Sequence, residues 1–192
     1  WNEAIDDIKI YNYARTQKQI LQDMNAGHPS VGSPVGSYVA YWQLDEVYGS
    51  TAYDLFINNN NGTITGAAWS LDGKFNGTLQ FDASSDYIDI GDPSDGSLDF
   101  GTGNFSLAVW VNETSNQSIG VRGILDKSNF GSGVIGYSLY HIEVGDARGD
   151  DLVGFFVDDN SATNEVNSTT PIGDEQWHHI AATFNGTTDE MK

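Results

Sequence analysis

From Tyr38 to the end of the chain, short runs of β-branched and aromatic residues alternate with clusters of glycine, asparagine, aspartate and serine, and no helical pattern interrupts them. That rhythm belongs to an all-β sandwich, in which each run supplies a strand and each polar cluster a turn. The runs predict strands over Val39 to Leu44, Thr63 to Trp69, Thr78 to Phe81, Tyr87 to Ile90, Phe105 to Val111, Arg122 to Asp126, Gly136 to Glu143, Leu152 to Val157 and Trp177 to Phe184. Asn61-Gly62, Asn76-Gly77 and Asn185-Gly186 offer residues that accept positive φ, so tight turns are expected at all three. The chain has 192 residues, 39% of them hydrophobic, which is enough for one packed sandwich core.

Ahead of that body, Ile5, Ile8, Ile10 and Tyr11 predict a strand, and Ile20, Leu21 and Met24 predict a short helix with Thr16 as its N-cap. Residues 28–37 are rich in glycine, proline and serine, the composition of a linker. Three segments are therefore expected: 1–27, a linker over 28–37, and a body over 38–192. The first residues, Trp1 to Ala4, lack the basic and apolar regions of a signal peptide, so the start reads as internal to a longer protein. No apolar run approaches the ~18 residues of a spanning helix, and no membrane insertion is expected of this segment.

The net charge is −19, from 27 acidic and 8 basic side chains, which repels phosphate backbones and excludes nucleic acid as the expected partner. The acidic excess fits a solvated surface, divalent-cation sites or life in high salt. Cysteine is absent, so disulfides, cysteine-based zinc sites and thiol catalysis are excluded.

Several stretches, taken in order, carry a resemblance. Val39-Ala40-Tyr41-Trp42-Gln43-Leu44-Asp45-Glu46, then Gly49 to Asp54 and Asn58 to Ile64, are followed by Leu79 to Asp82, Asp86 to Gly91, Phe105 to Val111 and Gln176 to Phe184. Together they resemble the LamG-like jelly-roll family of the concanavalin A-like lectin/glucanase superfamily. The resemblance implies an all-β, two-sheet antiparallel jelly-roll sandwich, here with one short N-terminal helix. Ala4 to Ala14 is similar to the final strand of the same family, and Gln17 to Met24 to its trailing helix. The order is thus tail first, then head, as in the end of one repeat joined to most of the next, with a circular permutation as the alternative. Such a body lacks its own last strands, so residues 4–13 are expected to fold back and pair antiparallel with Val39 to Leu44, covering an otherwise exposed edge.

The superfamily includes glucanases, whose retaining mechanism needs two carboxyl groups about 5 to 5.5 Å apart. Those enzymes resemble one another in a Glu-x-Asp-x-Glu strand, and the matching stretch here is Tyr87-Ile88-Asp89-Ile90-Gly91. Only Asp89 remains, so no catalytic residue is assigned. His178 and His179 are adjacent and would point to opposite faces of a strand, which prevents joint binding of one metal. By the same resemblance, Asp6, Asp7, Asp45, Glu46 and Asp54 would come together where the opening strand, its loop and the final strand meet, and a structural calcium would be held by Asp6, Asp7, Glu46 and Asp54. Alternation places Asp6 on the side of Ile8 and Ile10, where it needs either a cation or backbone N–H donors. The loop's usual glycine and serines are replaced by Leu55, Phe56 and Ile57.

Asn-x-Ser/Thr triplets stand at Asn61, Asn76, Asn104, Asn112, Asn116, Asn167 and Asn185, a pattern that fits an exported chain. Tyr48, Phe56 and Phe130 lie in loop-like sequence and are the expected ligand-binding aromatics, whereas Trp69 and Tyr137 read as core. These residues fit a non-catalytic binding or adhesion module for a glycan or an extracellular protein, in a repeat-containing protein outside the cell or on its surface, beside neighbouring repeats. A spacer repeat with no ligand is the alternative, and a glucanase-like enzyme a remote one.

Overall fold

The computed structural model describes residues 3–25, 38–82, 85–114, 120–128, 136–158 and 163–192. Fourteen strands and one helix are found among them: β1 (Ala4–Tyr11), α1 (Gln17–Asn25), β2 (Ala40–Trp42), β3 (Thr51–Ala52), β4 (Gly62–Thr65), β5 (Ala68–Ser70), β6 (Thr78–Gln80), β7 (Tyr87–Asp89), β8 (Phe105–Thr114), β9 (Val121–Lys127), β10 (Gly136–Ile142), β11 (Leu152–Asp158), β12 (Thr163–Asn167), β13 (Asp174–Asn185) and β14 (Glu190–Met191). A seven-stranded sheet runs β14, β13, β8, β1, β6, β5, with β2 also on β1. It faces a four-stranded sheet, β12, β11, β10, β9, and a three-stranded one, β3, β4, β7. All the pairings are antiparallel, as expected of the sandwich.

The N-terminal strand does pair antiparallel with the opening strand, Ile8 opposite Trp42 and Ile10 opposite Ala40. It is not an added edge, however. Its other side pairs along β8 from Ala4 and Asn112 to Tyr11 and Ser106, and its first residues pair with β6, so every residue of β1 is buried. The register slips between Asp6 and Lys9 on β8, and Asp7 takes φ 54° at the slip. This β-bulge resets the alternation, so Ile5 before it and Ile8 and Ile10 after it all reach the apolar core. Trp42, Leu79, Leu107, Val111, Leu139, Phe155 and Phe184 complete that core, and each such buried side chain contributes about 1.5–3 kcal/mol.

The bulge corrects the placement of Asp6. Asp6 lies opposite Trp110, outside the apolar core and on the outer face of the sheet, not on the side of Ile8 and Ile10. Lys9, Tyr11 and Tyr41 share that face, and α1 covers it through Asp23, which accepts the Tyr11 hydroxyl at 2.7 Å. Helix α1 starts as its sequence predicts. The Gln19 N–H donates to Thr16 Oγ1 at 3.4 Å and the Thr16 N–H to Gln19 Oε1 at 2.9 Å, a reciprocal capping box.

Two further expectations change. The run Thr63 to Trp69 is two strands, because Gly66 at φ 78° turns the chain out of the three-stranded sheet and into the seven-stranded one. Of the three Asn-Gly pairs, only Asn76 has positive φ, at 54°. Asn61 leads straight into β4, with the left-handed residue two places earlier at Asn59, and the β13–β14 turn puts it on Asp189. Gly186 is required there for another reason, since a Cβ would overlap the Thr102 carbonyl oxygen. The linker over 28–37 lies outside the described residues.

Candidate functional site

The carboxylates assigned to calcium are fastened one by one. Asp54 accepts the N–H groups of Tyr41 at 2.9 Å, Phe56 at 3.0 Å and Asn60 at 3.0 Å, so its two oxygens tie β2 to the following loop. Glu46 accepts the Tyr53 N–H at 2.8 Å. Asp45 accepts the Gly77 N–H at 2.8 Å and the Asn76 side-chain amide at 3.1 Å. Asp7 accepts the Tyr41 hydroxyl at 2.6 Å and lies 3.5 Å from Lys9 Nζ, which is 3.6 Å from Asp23 on its other side. Burial first, and the adjoining carboxylates second, hold the Tyr11 and Tyr41 phenols far above their ordinary range, so both remain donors. Asp6 is fully buried, accepts the Phe75 N–H at 2.9 Å through Oδ2, and has no hydrogen-bond partner for Oδ1 among the described residues. Burial pushes its carboxyl up to about 8, against the Phe75 N–H and with help from Asp7 and Asp45. Among the described residues, no three acidic or histidine side chains form a group that could hold a metal ion.

Of the aromatics, Tyr48 is 79% exposed, on a loop where Leu44, Val47 and Gly49 all have positive φ. Asp45, Glu46 and the Trp69 Nε1–H to Gly49 carbonyl bond fasten that loop. Phe56 is not presented in the same way, since its ring packs edge-on against Tyr38 at 5.7 Å. Phe130 lies outside the described residues. Tyr137 is core, as expected. Several of the Asn-x-Ser/Thr asparagines have structural duties: Asn61, Asn104 and Asn185 accept main-chain N–H groups, and Asn112 donates to the Glu175 carbonyl. Asn116 lies outside the described residues.

The sequence did not mark an opening into the sandwich between two sheet edges. Strand β7 ends the three-stranded sheet and β9 ends the four-stranded sheet, and the two line one cavity of about 300 Å³. Its floor is the apolar interior itself, where the buried Ile8, Ile10, Trp42 and Tyr137 stand among the lining residues. Strand β9 slips register between Leu139 and Tyr140 of its neighbour, so Ile124 and the adjacent Leu125 both pack on the core. Asp86, Asp89, Asp126 and Lys127 stand among the lining residues. Lys127 is already engaged by Asp92 and by Asp99 at 3.0 Å. The neighbouring pair Ile124-Leu125, which breaks strict alternation, was the one sequence signal of the bulge.

The Laminin_G_3 family model, of the concanavalin A-like lectin/glucanases superfamily, matches residues 82–192. The chain belongs to this family. Both walls of the cleft, β7 and β9, fall inside the matched residues of the Laminin_G_3 domain. No curated protein and no solved structure matches the chain.

In this Laminin_G_3 domain, strand β13 keeps an unbroken register from Trp177 to Phe184, so the two histidines part as alternation requires. His179 packs edge-on against Trp110 at 5.1 Å, and burial pulls its imidazole down to about 4. His178 turns inward and lines a second cavity with Ser168 and Ile172. Its Nε2 lies 2.8 Å from Asp174, whose carboxyl that contact holds below the usual range. Ser168 accepts the Val153 N–H at 3.0 Å and donates to the Thr170 carbonyl at 3.1 Å. A further polar group lies inside the sandwich, where His141 Nδ1 is 3.1 Å from Glu113 and Nε2 is 3.5 Å from Asp151, with Glu143 paired to Arg122. This network joins β8 of one sheet to β10 of the other.

Proposed function

We propose that this domain is a non-catalytic binding or adhesion module of an exported, repeat-containing surface protein, and that its ligand seats in the cleft between β7 and β9. The observation that carries the reading is an apolar opening of about 300 Å³ that reaches the core between two strand edges. Ligand pockets are concave and mainly apolar, with a few polar groups that fix orientation, and this opening has that make-up. The superfamily of lectins and glucanases supports a carbohydrate- or protein-binding role in general. On the non-catalytic side, Tyr87 and Gly91 stand where a retaining glucanase would need carboxylates, and Asp89 Oδ1 accepts the Gly91 N–H at 2.8 Å.

The test is a screen of the whole chain against a glycan array and a peptide library, repeated with Ile124→Lys, which places a charge over the cleft floor. A ligand retained by the parent chain and lost by the variant supports the reading. Absence of any ligand in both arms favours a spacer repeat instead. Hydrolysis of β-glucan by the parent chain, abolished by Asp89→Ala, would contradict the non-catalytic assignment.

A further inference from the structure

The cleft has a chemistry of its own, and the inference drawn from it rests on the binding-module reading above. We infer that it takes an extended, cationic peptide strand, held by main-chain hydrogen bonds to the free edges of β9 and β7. Each of these strands has a neighbour on one side only among the described residues, β10 for β9 and β4 for β7. An exposed edge presents a row of main-chain donors and acceptors that another strand can pair with. An inserted strand has two such edges, so it can address both walls at once, which is recognition by strand addition.

The side chains of that strand are specified by the floor and the rim. Successive residues of a strand point to opposite faces, so every second side chain would enter the cleft. There it meets the partly exposed Ile88 and Ile124 first, with the buried Ile8, Ile10 and Trp42 behind them, a largely aliphatic lining suited to valine, isoleucine or leucine. A sugar ring would instead call for exposed aromatic faces flanked by hydrogen-bonding groups. The intervening side chains point outward to the rim. Both cations of β9 are already taken within the chain, Lys127 by Asp92 and Asp99, and Arg122 by Glu143. Asp86, Asp89 and Asp126 each accept a main-chain N–H, from Asp82, Gly91 and Ser128, and none of the three is in an ion pair among the described residues. The rim is therefore an acceptor of positive charge, and lysine or arginine complements it.

The experiment uses the whole chain and a labelled, capped heptapeptide of alternating valine and lysine, followed by fluorescence anisotropy at physiological salt. Saturable binding is expected, weakened at least tenfold when every second amide of the peptide is N-methylated and at least tenfold in Asp89→Lys/Asp126→Lys. These two rim carboxylates are exposed, so the double variant folds as the parent does, which near-ultraviolet circular dichroism checks. A peptide with glutamate in place of lysine is expected not to bind. Equal binding of the N-methylated peptide would overturn the inference, because attraction to a chain of charge −19 would then suffice. So would self-association of the chain that Ile124→Lys abolishes, which would make a second copy the occupant. A glycan that binds in the cleft while the peptide does not would overturn the peptide strand and leave the binding-module reading standing. Failure of every ligand would overturn both.

Discussion

Asp6 and His179 lie on the same face of the seven-stranded sheet, on either side of Trp110, and burial moves them in opposite directions. Asp6 ionises at about 8 in the folded chain and near 3.8 when unfolded, so its contribution is complete below 3.8 and is lost as pH rises to 8. His179 ionises at about 4 when folded and 6.5 when unfolded, so its contribution is complete above 6.5 and is lost as pH falls to 4. The two slopes oppose each other from 4 to 6.5, and Asp6 acts alone from 6.5 to 8. Asp6→Asn is therefore expected to match the parent near pH 4 and to gain on it by up to about 1.4 kcal/mol per pH unit through that window. Urea melts at stepped pH in the presence of a chelator check this, and a stability difference independent of pH would contradict it. Inside the sandwich, Glu113→Ala removes a buried carboxylate that stands 3.1 Å from His141 and is expected to destabilise the fold, by about 1–3 kcal/mol for the polar group left without its partner, read as a lower urea midpoint. Glu113→Gln, which keeps the shape, should lose less.

At the scale of elements, β1 is the strand on which the sheet depends, since β8 lies along one of its edges and β2 and β6 share the other. A chain beginning at residue 38 is expected to lose its cooperative thermal transition and to regain it when a peptide of residues 3–25 is added. A sharp transition without that peptide would show that β1 is dispensable. The pairing of β1 with β2 was legible in the sequence because the order of tail and head, and the edge it would leave uncovered, both pointed to it. Its burial between β8 and β6 was not legible, because register on a second partner depends on contacts about a hundred residues away. Nor was the bulge at Asp7, which moved Asp6 from the expected face: a one-residue insertion inverts every later side chain and leaves no mark in composition. Strands β3, β12 and β14, with two to five residues each, are set by their partners rather than by their own propensities. The cleft itself was hidden because it is made by the ends of two sheets, β7 and β9, some thirty residues apart.

Across the whole molecule, the charge of −19 surrounds an interior that also holds ion pairs, and carboxylates stand among the residues that line the apolar cleft. That combination favours partners that bring both positive charge and apolar side chains, and it makes association weaken as salt rises. A ligand strand seated in the cleft would complete the gap between the two smaller sheets. Amide hydrogen exchange, recorded residue by residue with and without the alternating valine–lysine peptide, tests it most directly. New protection is expected on the free-edge amides of 87–90 and 121–127, with unchanged exchange in the Tyr48 loop. Protection confined to that loop, or spread evenly over the acidic surface, would contradict it.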